Sequence, residues 1–364
     1  ARLPSPKLGE GLGVRAIYEE IRKNPMKYKS IIVTRRGGPE VLQVIENELR
    51  APSAGEARLK ILATCVCLPD VQARYGHSPF APKIPFTPGY AIIGVVDAVG
   101  RPKQPSGEDV ANVAVGDRVA ALTVCGGYAE YIFLDQKELI PMPATLDPAE
   151  AVTLILNYLV AYQTLHRSAK VKAGDKVLII GASGGIGTAF LQLGKVANLS
   201  MYGIASKSKH HLLTEYGATP IDYHTQDFVE VIRQAEPDGL EAVFDGMGGE
   251  YLKRGLSLLR RGGTWVGYGN PLSFSGMLHL LGQVILFNVL PNGKTVKLYG
   301  TGASRFNRRP FLEDWATLFK LLEEGKIKPI IANKFSILEA AKANELLESG
   351  QVIGNVVLLA PELL

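Results

Sequence analysis

The sequence predicts an α/β protein in which a doubly wound parallel sheet follows a smaller β-rich barrel. Three observations carry that expectation. Residues 176–187, KVLIIGASGGIG, read as a buried strand, a glycine turn and the start of a helix. Strands and helices then alternate: KVLIIG, a helix over 186–198, SMYGIAS, a helix over 207–216, PIDY, a helix over 226–235, EAVFDGM, a helix over 249–260 and GTWVGYG. That rhythm implies parallel strands joined by crossover helices. Earlier, SIIVTRR, LQVIENEL, EARLKILATCV, YAIIGVVDAVG, DRVAALTV and AEYIFL are short runs separated by Gly, Pro and Asp, as in a small barrel.

The remaining elements follow in order. Residues 1–29 read as an arm with one short helix near 14–22, and RPKQPSGEDV (101–110) as a polar loop. Asp147-Pro148-Ala149-Glu150 is a helix start, because Asp caps, Pro fits the first turn and Glu at the third position can reach back. That helix, running to about residue 168, links the barrel to the parallel sheet. The strand KTVKLYGTG, a helix over 309–324 and a strand over 354–359 complete the chain.

At 364 residues the chain is long enough for two domains with their own cores. The net charge of +5 comes from scattered residues, which argues for solubility and against nucleic-acid binding. Cys65, Cys67 and Cys125 are too few for a disulfide framework and suit a reducing compartment. The apolar stretch 277–290 is shorter than the roughly 20 residues that span a bilayer. The beginning, ARLPSPKLGEGLG, has no apolar signal core. A cytoplasmic protein is the expectation, although the missing initiator Met leaves room for processing.

The glycine turn points to a dinucleotide, against the alternative of an ordinary tight βα turn. Glycines at 181, 184 and 187 permit a tight turn, close approach of a pyrophosphate and packing of helix on strand. The free N–H groups of Gly184, Gly185, Ile186 and Gly187 at the helix start then meet phosphate charge. Folds that prefer NAD carry an acidic residue at the end of the second strand, which here is Ala205-Ser206. Ser206, Lys207 and Lys209 stand there with no carboxylate, a set that suits the 2′-phosphate of NADP(H) or, alternatively, merely opens a helix in solvent.

From about Ser30 the chain resembles the medium-chain dehydrogenase/reductase superfamily, in its zinc-independent, quinone-oxidoreductase-like branch. The segments that carry the resemblance run in family order: CVCLPDVQARYG (65–76), PFTPGYAIIGVVDAVG (85–100), VAVGDRVAAL (113–122), GGYAEYIFL (126–134), AYQTL (161–165), VKAGDKVLIIGASGGIG (171–187), EYGATPIDY (215–223), VFDGMGG (243–249), LRRGGTWVGYGN (259–270) and GQVIGNVVLL (350–359). The resemblance implies a GroES-like barrel domain over 30–150 and 304–364, with a Rossmann NADP-binding domain over 151–303 inserted in it. It implies 2′-phosphate contacts from Lys209, Tyr223 and Ser206. Gly246 and Met247, Gly269 and Asn270 match loops lining the nicotinamide and its ribose, and Asn355 falls in the last cofactor-side segment. A homodimer through the edge strand 296–302 is also implied.

Zinc members of the superfamily hold metal with a Cys-His segment and a His-Glu after Pro-Gly. Here Cys67 is followed by Leu68, and Pro88-Gly89 by Tyr90-Ala91, so one thiol faces a task that needs about three ligands. No metal is expected. The quinone reductase relatives place an Asn where Cys67 stands, so carbonyl polarisation falls to other groups: Tyr90, Tyr75, Cys67 and Asn157 are the candidates, with Asp70 read as a local turn stabiliser. Tyr90 is open to two readings, donor to a substrate oxygen or packed barrel aromatic. Residues 271–293 depart most from the family and read as an apolar helix pair, forming a substrate wall, a dimer contact or, more weakly, a membrane-surface element. The expected activity is NADPH-dependent hydride transfer to a quinone or an α,β-unsaturated carbonyl, as a small apolar substrate. Alternatives are a cofactor-binding sensor or interaction protein and, residually, a ketone or alcohol oxidoreductase.

Overall fold

The computed structural model describes residues 26–77, 80–101, 113–269 and 273–364; the expected arm helix near 14–22, the expected polar loop from residue 102 on and Asn270 lie outside them. The chain begins with a hairpin-like pair, β1 (Lys27–Val33) and β2 (Leu42–Glu48), then β3 (Glu56–Val66), α1 (Leu68–Tyr75), β4 (Ile92–Val99), β5 (Arg118–Ala121), β6 (Tyr131–Asp135) and β7 (Ile140–Pro141). The linking helix starts where the capping signal puts it. Asp147 accepts from the Glu150 N–H at 3.0 Å, Pro148 opens the helix, and it runs through α2 (Pro148–Thr153) and α3 (Leu159–Gln163) with π-helical turns at Leu154–Tyr158 and Thr164–Ala169.

The parallel sheet follows, with β8 (Lys176–Ile180), α4 (Gly185–Val196), β9 (Ser200–Ala205), α5 (His210–Glu215), β10 (Ala218–Asp222), α6 (Phe228–Ala235), β11 (Leu240–Asp245), α7 (Glu250–Leu258), β12 (Leu259–Gly267), α8 (Phe274–Val289) and β13 (Thr295–Leu298). Its strand order is β10-β9-β8-β11-β12-β13, every pair parallel. Strand order reverses between β8 and β11, and the crevice beyond their carboxyl ends is where such sheets bind ligands. Val177, Leu178, Ile179 and Ile180 are all buried, each side chain contributing about 1.5–3 kcal/mol.

The chain then returns to the first sheet through α9 (Arg309–Glu323), β14 (Ile331–Ser336), α10 (Ala340–Glu348) and β15 (Asn355–Leu359). β15 pairs antiparallel with β3, giving a sheet of order β14-β15-β3-β4-β5-β7 with β6 also on β3. One hydrophobic core joins the sheets: Cys65, Cys67, Ala91 and Ile93 share a cluster with Ile179, Ala182, Phe244 and Val266.

Two expectations are corrected. The helix expected over 249–260 stops at Leu258, because Leu259 enters β12. The helix pair expected over 271–293 is one helix, α8, capped by the Ser273 hydroxyl accepting from the Gly276 N–H at 3.0 Å; Gly276 and Gly282 do not break it. Its Leu280, Val284 and Phe287 pack toward the sheet, while Phe274, Leu278, Ile285 and Val289 are exposed. Asn288 of α8 accepts from the N–H of Val296 and donates to its carbonyl, both at 2.9 Å, and so covers part of the edge of β13.

The glycine turn is built as its spacing requires. Gly181 takes a left-handed φ of 78°. A Cβ on Gly187 would lie 2.2 Å from the Gly181 carbonyl oxygen and 2.5 Å from Ala182 C, so α4 packs against the turn backbone. Gly187→Ala is therefore expected to cost about 1–3 kcal/mol of stability, read as a lowered midpoint in urea unfolding; an unchanged midpoint would contradict this packing.

Candidate functional site

The glycine turn at the switch point leaves space beside Gly184. The extended Gly184 caps α4, and a Cβ added there would have only the Gly181 carbonyl oxygen, at 3.8 Å, within contact. The first turn of α4 is a helix start, where N–H groups without intrahelical partners and the helix dipole favour anions; the Gly184 N–H itself donates to the Gly181 carbonyl at 3.3 Å. The turn is also held from the other sheet. The Gly354 N–H donates to the Ser183 carbonyl at 2.9 Å, and Gly184 and Gly354 form a parallel bridge.

Asn157 and Asn355 support this seam. Asn157 Nδ2 donates to Asn355 Oδ1 at 2.6 Å, and Asn355 Nδ2 donates to the Ile330 carbonyl at 2.9 Å. Both are buried, and a Cβ on Gly185 would fall 2.6 Å from Asn157 Nδ2. The π turn at Leu154–Tyr158 carries Asn157 into the seam. Asn157 thus abuts the turn, its amide already paired.

Ser206 opens the turn after β9 with its hydroxyl 3.3 Å from Ser208 Oγ, and Lys207 is exposed beside it. Lys209 Nζ donates to the carbonyls of Gly350 and Val352 at 2.7 and 3.0 Å, and burial lowers its pKa. An ammonium has three donors, so one remains for a ligand oxygen. Tyr223 follows β10, half-exposed, its ring 4.1 Å from that of His224. Gly246 and Gly269 bring two loops together: a Cβ on Gly269 would sit 2.4 Å from the Gly246 carbonyl oxygen, and Met247 beside them is exposed. Asp245, at the end of β11, accepts from the N–H groups of Met247 and Gly248 at 2.7 and 2.9 Å. Its Oδ2 is buried without a protein partner among the described residues. An open turn and a basic corner fit a dinucleotide's phosphates, while the spare Asp245 oxygen, an acceptor, suits a hydroxyl donor instead.

The barrel wall is different in character. Cys67 is buried, and the neighbouring Cys65 thiol and burial hold its pKa well above the usual thiol range. Its neighbour Leu68 is exposed. Tyr90 Oη lies 3.2 Å from Thr301 Oγ1, and burial raises its pKa. Tyr75 instead donates to Glu348 of α10 at 2.9 Å, so its hydroxyl is spent on the C-terminal helix. Among the described residues no group of three His, Cys, Asp or Glu is arranged to hold a metal ion. No described helix is long and apolar enough to cross a membrane.

Two groups of this wall escape sequence reasoning. Thr301 is one, met only through folding. Asp70 is the other: it joins α1 to the loop before Tyr90, accepting from the Cys67 N–H at 3.2 Å and the Gly89 N–H at 2.8 Å. Its capping role was legible from the local spacing; its complete burial was not.

Comparison with known proteins fits this geometry. Residues 53–144 match the alcohol dehydrogenase GroES-like domain and residues 216–358 the zinc-binding dehydrogenase family. The human synaptic vesicle membrane protein VAT-1 homolog is 32% identical over 321 residues, covering 85% of this chain and 80% of that protein. Rat quinone oxidoreductase is 28% identical over 337 residues, covering 91% and 97%. The crystal structure of Escherichia coli quinone oxidoreductase complexed with NADPH superposes with a TM-score of 0.80 at 26% identity, covering 91% of this chain and 99% of that one. The chain belongs to the medium-chain dehydrogenase/reductase superfamily of oxidoreductases. One family description names zinc; the positions compared with its donors in the sequence hold Cys67, Leu68, Tyr90 and Ala91 here.

Burial raises the Asp70 carboxyl from 3.8 to about 7, against the opposing pull of its N–H donors. The folded protein then binds this proton more tightly than the unfolded chain. The stability it contributes is complete below the unfolded pKa and is lost as pH rises through the folded one. Between about pH 4 and about pH 7 the wild type should lose thermal stability relative to Asp70→Asn, by up to a few kcal/mol. Parallel melting-temperature curves for the two proteins would contradict it.

Proposed function

We propose that the protein is a zinc-independent, NADPH-dependent reductase that delivers hydride to a quinone or an α,β-unsaturated carbonyl. The observation that carries this reading is the open, doubly anchored glycine turn at the switch point, beside a basic corner without an acidic residue. Gly184, Gly185, Ile186 and Gly187 would hold the pyrophosphate, and Ser206, Lys207, Lys209 and Tyr223 the 2′-phosphate side. Gly246, Met247, Gly269, Asn270 and Asn355 would line the remainder.

Bound NADPH supplies the two electrons and one proton of the hydride, water supplies a second proton, and the products are NADP⁺ and the two-electron-reduced substrate. The protein's part is to orient the acceptor and hold the charge that builds on its oxygen. Tyr90 is the candidate donor, because burial keeps its phenol protonated. Cys67 and Leu68 form an uncharged, partly apolar wall that favours an apolar carbonyl over an acid. Tyr75 and Asn157, with hydroxyl and amide already paired, fit positioning better than chemistry. The similarity to proteins named quinone oxidoreductase supports the acceptor class.

In this reading the barrel domain comprises 30–150 and 304–364, the nucleotide domain 151–303, and the protein works in the cytoplasm. A homodimer would pair the edge of the parallel sheet over 296–302, although the strand expected there is shorter: β13 ends at Leu298 and a 3-10 turn begins at Thr301. A second reading, a nucleotide-binding interaction protein, draws on the exposed apolar face of α8 and on the similarity to a protein named for synaptic vesicle membranes.

Oxidation of NADPH against quinones, 2-alkenals and enoyl thioesters separates the two. The reductase should turn over at least one class, faster with NADPH than with NADH. Nucleotide binding with no turnover across the panel would favour the interaction protein, and a preference for NADH would overturn the cofactor assignment.

A further inference from the structure

The hydroxyls of Tyr90 and Thr301 come from opposite halves of the molecule. Tyr90 stands just before β4 in the mixed sheet, and Thr301 just after β13 in the parallel one. Their oxygens are 3.2 Å apart, and either can donate to the other. Two hydroxyls carry two protons, and the mutual bond uses one. The second is left for a third oxygen.

Thr301 is also held in place. Two residues earlier, the Tyr299 N–H donates to the Gly267 carbonyl at 2.8 Å and the Tyr299 hydroxyl to Gln163 Oε1 at 2.9 Å. Gln163 Nε2 donates in turn to Asp314 at 2.6 Å, and Arg167 grips both oxygens of that carboxylate. Thr301 is buried, while Tyr90 is partly exposed beside Cys67 and Leu68. Donors fixed in advance are what a developing oxyanion needs, since they cost no reorganisation when charge appears.

We propose that Tyr90 and Thr301 form one oxygen-binding subsite: one hydroxyl donates to the substrate's carbonyl or quinone oxygen while the other donates into the first. The inference rests on the reductase reading and deepens it, because it selects acceptors that present an oxygen to this wall. The pair is made only by the packing of the two sheets on each other.

The test uses full-length protein with NADP⁺ bound and 4-nitrophenolate as an oxyanion probe, followed by its absorbance, alongside turnover on the substrate panel. Thr301→Val should weaken probe binding and lower kcat by about 10–100-fold while NADPH affinity stays unchanged. Thr301→Ser, which keeps the hydroxyl, should recover most of the loss. Tyr90→Phe combined with Thr301→Val should be little worse than Tyr90→Phe alone, as expected of groups acting as a unit. Wild-type probe affinity in Thr301→Val, losses that multiply in the double variant, or no probe binding by the wild type would each overturn the subsite. If the wild type reduces nothing on the panel, the reductase reading falls, and the probe titration alone judges the subsite.

Discussion

The rest of the structure depends on the seam where the glycine turn of one sheet meets the last strand of the other. The Gly354 N–H on the Ser183 carbonyl, the Gly184–Gly354 bridge and the Asn157–Asn355 pair leave no room for a side chain at Gly185. Because β15 also pairs with β3, the turn is tied directly to the barrel wall. A nucleotide held there and an acceptor held against Tyr90 would both depend on this joint. Fixing that geometry before binding spares the entropy of assembling it during the reaction.

The wall opposite the turn is notable for the charge it lacks. Burial, or burial with a neighbouring thiol, holds Cys67 and Tyr90 in their protonated forms and leaves Asp70 about half protonated near pH 7. Full charges in such a place would need partners. A neutral wall with hydroxyl donors suits a neutral acceptor that becomes anionic only as it is reduced, and this joins the packing to the proposed chemistry.

Much of this was legible in the sequence because it is local. A strand, a turn and a helix within KVLIIGASGGIG follow from residue spacing, as does the Asp147 cap, and both appear where expected. The absence of an acid after β9 needs only counting. Long-range contacts were not legible. Tyr90 and Thr301 are 211 residues apart, and nothing near either position announces the other. Lys209 was read as a ligand contact, yet its ammonium also binds two carbonyls near residue 350, a partnership that only the return of the C-terminal chain creates. The apolar segment 271–293 reads as a helix pair in the sequence, and packing on the sheet makes it one helix with an exposed face instead.

The central claim is that the glycine turn receives the nucleotide's pyrophosphate, and Gly184 tests it most directly. The backbone there is extended and a Cβ meets open space, so Gly184→Val should fold, losing no more than about 1 kcal/mol from the poorer N-cap. Its side chain would nonetheless occupy the place of the phosphate. Titration by nucleotide fluorescence should then show NADPH affinity at least about tenfold weaker, on the order of 1.4 kcal/mol. Wild-type affinity in a normally folded Gly184→Val protein would contradict the account.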